Sequence, residues 1–149
     1  MARTVVNEKG FKLLEHTADA YVAAYGKDLA EAFENAARAL FNVMTELEKI
    51  STDVVDYVEV SGDSETTLLY NWLEALIVKS EINGTLYSKF QISILDGANN
   101  SYQLKAKIWG EKFSADKHLQ KVSVKAITYH RMEITKEKDK VTLKFILDI

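Results

Sequence analysis

The sequence predicts an α+β fold: two amphipathic helices packed on a mostly antiparallel β-sheet, in a single compact domain over residues 1–149. Two observations lead there. Apolar residues recur at i, i+3, i+4 spacing in two stretches of the first half. Most of the remaining chain alternates apolar and polar residues with period two, and no linker or internal repeat divides it.

The first helix is expected from about Leu29 to Glu48. Leu29, Ala32, Phe33, Ala36, Ala37, Leu40, Phe41, Met44 and Leu47 form its apolar stripe. Asp28 stands where an N-cap belongs, and Glu31 three residues on gives a start resembling a capping box. A second helix is expected from about Glu65 to Ile82, burying Leu68, Leu69, Trp72, Leu73, Leu76 and Ile77. Asn83-Gly84 ends it. A short apolar strand runs from Phe11 to Leu14. Phe90, Ile92 and Ile94, then Asp96-Gly97, then Tyr102, Leu104, Ala106 and Ile108 read as a hairpin. Val122, Val124, Ala126 and Thr128 mark another strand, and Met132 and Ile134 one more, with 136–140 as a charged turn. The last strand sends Val141, Leu143, Phe145 and Leu147 inward. Thr142, Lys144, Ile146 and Asp148 share its outer face.

Composition narrows the function classes. Apolar residues make up 47% of the chain, enough for a core without staples. The absence of Cys excludes disulfides, thiolate zinc sites and a Cys nucleophile, and suits a reducing cytoplasm. No secretory h-region opens the sequence, and no apolar run reaches the roughly 18 residues a membrane helix needs, so a soluble protein with no membrane partner is expected. A net charge of −3, with acidic and basic residues intermixed, argues against a chain that lives on a nucleic-acid backbone.

The chemistry-bearing residues lie at opposite ends of the sequence. Glu15-His16-Thr17-Ala18-Asp19 follows the first apolar strand, and Asp148-Ile149 ends the chain. If the fold brings these ends together, Asp19, Asp148 and the α-carboxylate of Ile149 gather hard oxygens of the kind Ca²⁺ or Mg²⁺ prefers. Taken singly, Asp19 reads first as a turn residue and Asp148 as a strand-end charge. His16 reads most simply as a hydrogen-bonded residue that orients its loop. His118 and His130 lack metal-ligand spacing, which argues against zinc. Neither a G-x-S-x-G elbow, a phosphate-binding P-loop nor a G-x-G-x-x-G turn occurs, so no enzymatic machinery is visible. In Lys125-Ala126-Ile127-Thr128-Tyr129-His130, alternation puts Lys125, Ile127 and Tyr129 on one face, where Lys and Tyr can meet a phosphate or an acidic partner.

These pieces resemble the archease family. The carrying residues are Leu14-Glu15-His16-Thr17-Ala18-Asp19, the helix over 29–44 that follows Gly26, and Leu68-Leu69-Tyr70-Asn71-Trp72-Leu73-Glu74. Gly110-Glu111, His118, the run 124–130 and the terminal Asp148-Ile149 complete the set. The resemblance implies a small cytoplasmic, non-catalytic protein that assists the RtcB-type RNA ligase in tRNA splicing. It would promote guanylylation of the ligase, permit multiple turnover and broaden the nucleotides accepted, with RNA contact indirect. It also implies that Asp19, Asp148 and Ile149 hold a divalent cation, Ca²⁺ first, with Mg²⁺ or Mn²⁺ as alternatives. Lys125, and His16 with it, would then meet a phosphate or the partner. A chaperone-like module for RNA-modifying proteins is the rival reading, and it would show a large exposed apolar patch. Self-association is left open by the sequence.

Overall fold

Helices and strands assemble around two antiparallel sheets that share one interior. The computed structural model describes residues 5–7, 10–14, 19–97 and 99–149. Its strands are β1 (Val5–Asn7), β2 (Phe11–Leu14), β3 (Ala20–Gly26), β4 (Val54–Gly62), β5 (Thr85–Gly97), β6 (Ser101–Lys112), β7 (Ala126–Glu137) and β8 (Lys140–Asp148). Helix α1 (Leu29–Met44) lies between β3 and β4, and α2 (Glu65–Asn83) between β4 and β5. One sheet has five strands in the order β1-β2-β3-β8-β7, the other three in the order β4-β6-β5. Helix α1 packs on β3 and β8 of the first sheet and on β5 of the second. Helix α2 packs on β7 of the first and on all three strands of the second. The expected α+β architecture holds, with the sheet divided in two. No helix among the described residues is long and apolar enough to cross a membrane.

Local chemistry explains the helix ends. The Asp28 carboxylate accepts from the Glu31 N–H at 2.9 Å, and the Glu31 carboxylate accepts from the Lys27 N–H at 2.8 Å, so both ends of the cap are tied. Helix α1 stops at Met44, short of the expected Glu48. Thr45 turns extended (φ −157°, ψ −170°), the Asn42 side chain accepts from Leu47 N–H, and Leu47–Lys49 continues only as a 3₁₀ turn. Ser64 caps α2 by accepting from the Thr67 N–H at 3.0 Å. At its other end Gly84 adopts φ 58°, the left-handed conformation that glycine reaches without a Cβ clash.

Aromatic side chains tie the helices to the sheets. Trp72 is fully buried in α2, and its indole N–H donates to the Phe33 carbonyl of α1 at 3.0 Å. Its ring meets Phe90 of β5 edge-on at 6.1 Å, and Phe90 stacks with Phe41 of α1 at 6.0 Å.

Three strand expectations need correction. β4 was not foreseen. Residues 113–125 form no strand, because Lys121 N–H bonds to the Met44 carbonyl and a tight turn between Ser114 and His118 redirects the backbone. The two strands expected over 122–134 become the single β7, whose register with β8 shifts between Thr128 and Glu133. Ile127 is therefore buried while Lys125 and Tyr129 stay exposed, so the three do not share one open face.

A polar knot secures the loop after β6. Glu111 Oε1 accepts from Ser51 N–H, Lys117 Nζ and His118 Nε2, each at 2.8 Å. His118 is buried. Its Nδ1 accepts from Ser114 N–H at 2.9 Å, which fixes the neutral tautomer with the proton on Nε2. Burial alone would raise the Glu111 carboxyl, but the bonds from Lys117, Ser51 and His118 outweigh it and hold the group down at about 2. A depressed carboxylate stabilises the fold above its ordinary value near 4.5, and that contribution fades as pH falls towards about 2. Denaturant unfolding at stepped pH should show this loss, and Glu111→Gln should flatten it while costing about 1–3 kcal/mol at neutral pH. Gly110 faces Tyr87 across the β5–β6 ladder, and a Cβ there would strike the Leu86 carbonyl. Gly110→Ala is expected to cost about 3 kcal/mol, read from the unfolding midpoint.

Candidate functional site

The site grows from the register of the central strands. β3 and β8 run antiparallel from Ala20↔Leu147 through Gly26↔Val141. One step beyond the first of these pairs, Asp19 stands level with Asp148, at the same end of the sheet. Alternation along β8 puts the Asp148 side chain on the outer side of the five-stranded sheet, and Asp19 is the residue immediately before β3 at that same end. Asp148 is exposed and Asp19 half-buried. On the other flank Ala126 of β7 pairs with Asp148, and Lys125 N–H donates to the Asp148 carbonyl at 2.7 Å. The half-buried Ile149 side chain packs against the core, which fixes the strand end beyond Asp148.

The structure thus brings together four of the predicted residues: Asp19, Asp148, Ile149 and Lys125. Lys125 joins them through its backbone, and its side chain is exposed. His16, with Glu15, Thr17 and Ala18, lies outside the described residues.

Below the acidic pair lies a row that sequence reasoning missed. Tyr21, Ile146 and Thr128 are level across β3, β8 and β7. Ile146 is 1% exposed although it belongs to the outer face. Arg131 adopts φ 58° within the irregular part of β7 and lays its guanidinium over the Tyr21 ring at 4.6 Å. Two residues further back, Tyr129 stacks on Tyr70 of α2 at 4.1 Å with rings 7° from parallel. The irregular part of β7 thus covers Tyr21 on one side and reaches α2 on the other. A tyrosine two residues after Asp19 was visible in the sequence as a partner on that face. The position of Arg131 depends on the irregularity in β7, for which the sequence gives no local signal.

The donor set is hard oxygen. Among the described residues no group of three or more His, Cys, Asp or Glu side chains could hold a metal. Two carboxylates at one sheet end suit a hard divalent cation that keeps several waters, as Mg²⁺ does. The residues present therefore fit such an ion, and nothing among them suits zinc or copper.

A wide cleft lies elsewhere on the molecule. It measures about 830 Å³, opens widely to solvent and is lined by Tyr25, Glu34, Arg38, Lys89 and Lys140 among others. Burial pushes the Glu34 carboxyl up, although its Oε2 accepts from Ile92 N–H at 2.9 Å. Asp19 and Asp148 do not line this cleft. The acidic sheet end is an exposed patch, suited to docking against a partner more than to enclosing a small substrate.

Comparison with known proteins agrees with this fold. Residues 11–149 match the Archease protein family (MTH1598/TM1083). The protein archease of Sulfurisphaera tokodaii is 42% identical over 139 residues, covering 93% of this chain and 98% of the relative. That of Pyrococcus abyssi is 44% identical over 131 residues, covering 88% and 92%. The solution structure of Methanobacterium thermoautotrophicum protein 1598 superposes with a TM-score of 0.83 at 37% identity, covering 95% of this chain and 99% of that one. The crystal structure of a Thermotoga maritima archease, described as a possible chaperone, shares the fold with a TM-score of 0.60 at 20% identity, covering 91% and 94%. This chain belongs to the archease family.

Proposed function

We propose that the protein is a non-catalytic activator of an RtcB-type tRNA-splicing ligase. It would promote guanylylation and multiple turnover of that enzyme and broaden the nucleotides it accepts. Family membership supports this reading, and the observation that carries it is the β3–β8 register that sets Asp19 level with Asp148 at one sheet end. Asp19, Asp148 and the terminal carboxylate of Ile149 would hold a divalent cation, Ca²⁺ being the first candidate and Mg²⁺ or Mn²⁺ the others. When bound, the ion supplies a positive centre that can meet a phosphate oxygen or a carboxylate of the partner.

The chain's own groups prepare that encounter. Two carboxylates brought to one sheet end repel each other, and a cation or basic group lowers that repulsion. Ile149 and the Lys125–Asp148 bond hold the strand end in place, so the pair is organised before docking. A protein without a nucleophile can still accelerate a partner's reaction by favouring one of its conformations. Exposed apolar side chains on Phe113, Leu119 and Val122 border a groove of about 270 Å³, and that groove favours the chaperone-like reading as the second choice.

Multiple-turnover joining of tRNA halves by the cognate ligase tests the proposal. The wild type should convert a stalled ligase into a recycling one, and Asp148→Ala should remove that effect while leaving thermal unfolding unchanged. Calorimetric titration should show the same variant binding divalent cations roughly 10–100-fold more weakly. Unaltered ligase turnover with Asp148→Ala would take the acidic patch out of the mechanism.

A further inference from the structure

The three-stranded sheet carries a second surface, distinct from the acidic end in place and in charge. Its inner side is core: Val58, Phe90, Ile92, Leu104, Ala106 and Ile108 are all buried. Its outer side holds Trp109 at the centre. Val55 and Lys89 flank Trp109 in register, and Tyr57, Lys107 and Gln91 form the next row. Tyr57 is 66% exposed, and Trp109 is half-buried. Lys89 Nζ lies 4.6 Å from the indole centroid and Lys107 Nζ 5.2 Å. Lys105 follows in the third row, opposite Glu59. From Val55 to Ser61 and their partners, this face carries Lys89, Lys105 and Lys107 against the single carboxylate Glu59, on a chain whose net charge is −3.

A structural role accounts for part of this. Lysine stems cover exposed aromatic surface, and a Val–Trp cross-strand pair stabilises a sheet. It does not account for a tyrosine two-thirds in water beside a lysine-flanked tryptophan. Tyr57 and Trp109 are diagonal neighbours on adjacent strands, about 7–8 Å apart at their backbones. Such rings can each take a base, and ammonium groups around them can take the intervening phosphates.

We propose that this face binds a short single-stranded nucleic acid, stacking bases on Tyr57 and Trp109 and pairing phosphates with Lys89, Lys105 and Lys107. Charge complementarity and the paired rings select this occupant. An acidic peptide would satisfy the lysines but leave the π-faces unused. A duplex keeps its base faces stacked, and a second copy of the chain would bring the same positive face against its own.

Fluorescence anisotropy of labelled, unstructured oligouridylate about ten nucleotides long would test it, beside the DNA of the same length and a duplex. Single strands should bind and the duplex bind more weakly, with the tighter of RNA and DNA identifying the natural class. Trp72 is fully buried, so quenching of intrinsic tryptophan fluorescence by the oligonucleotide reports on Trp109. Tyr57→Ala and Trp109→Ala should each weaken binding about tenfold, and Trp109→Phe should restore most of it. The wild-type affinity should fall with salt at a log–log slope of about −2, and Lys89→Ala with Lys107→Ala should flatten that slope by more than half. Asp148→Ala should bind like the wild type, which separates this surface from the acidic site. Undiminished binding by folded Tyr57→Ala and Trp109→Ala variants overturns the proposal. So does competition by polyaspartate as effective as by the oligonucleotide, or absence of binding at low salt.

Discussion

Everything in this fold rests on one long-range pairing, that of β3 with β8. Residues 20–26 meet residues 141–147 across almost the whole chain, so closing this ladder carries a loop-closure cost that local contacts cannot offset. Packing between the strands offsets it. On the inner face Ala20, Val22 and Ala24 lie opposite Leu147, Phe145 and Leu143, small side chains against large, and none of the six is more than 6% exposed. That alternation fills the space beneath α1 without strain. Because register is fixed by burial on this face, the outer face has no freedom either. A slip of one residue would turn Phe145 and Leu143 into water and carry Asp148 away from Asp19. The acidic pair is thus specified by the hydrophobic core behind it.

The second sheet is joined to the first mainly through the helices. Trp72 donates from α2 to a backbone carbonyl of α1, and Phe90 of β5 packs against rings from both helices. Burying an indole N–H without a partner would cost about 1–3 kcal/mol, so the Phe33 carbonyl makes this central position tenable. A carbonyl inside a helix is already bonded, and its second lone pair is the acceptor that Trp72 uses. The two sheets are thereby held at a fixed relation by side chains that the helical periodicity had already marked as core.

Legibility in the sequence followed the range of the interaction. Helix starts at Asp28 and Ser64 depend on bonds three residues long, and the first of these could be read directly. The β5–β6 hairpin depends on one turn and on clean alternation, and it was read as well. β4 was missed because Val54, Val55, Tyr57, Val58 and Val60 place apolar residues on both faces, which hides the period. The strand expected over 122–128 forms only from Ala126: the alternation before it is real, but Val124 lies in a loop held to Met44 and Asp148 through the backbone. The acidic residues Asp19 and Asp148 were legible as residue types far apart in the sequence. Their nearness rests on the β3–β8 register, which runs to Ala20 and Leu147, one residue short of each. Arg131 was not legible at all, because its position follows from a register shift that only the partner strand reveals.

The charge balance of the chain shows how a global number misleads about a surface. A net charge of −3 argued against contact with nucleic acid, and as a statement about the long-range field it stands. Recognition at contact is governed by charges within about a Debye length, roughly 8 Å at physiological ionic strength. At that scale the molecule has two different surfaces. One sheet end presents Asp19 and Asp148, while the outer face of the other sheet presents Lys89, Lys105 and Lys107 around Trp109 and Tyr57. The two surfaces differ in sign, so a charged group attracted by one is repelled by the other. The helices keep the two sheets in one core, so these opposed surfaces stay separate and rigidly related. A partner that meets both must itself carry a cation or basic group on one side and an exposed single strand on the other, which is a more demanding condition than either surface imposes alone.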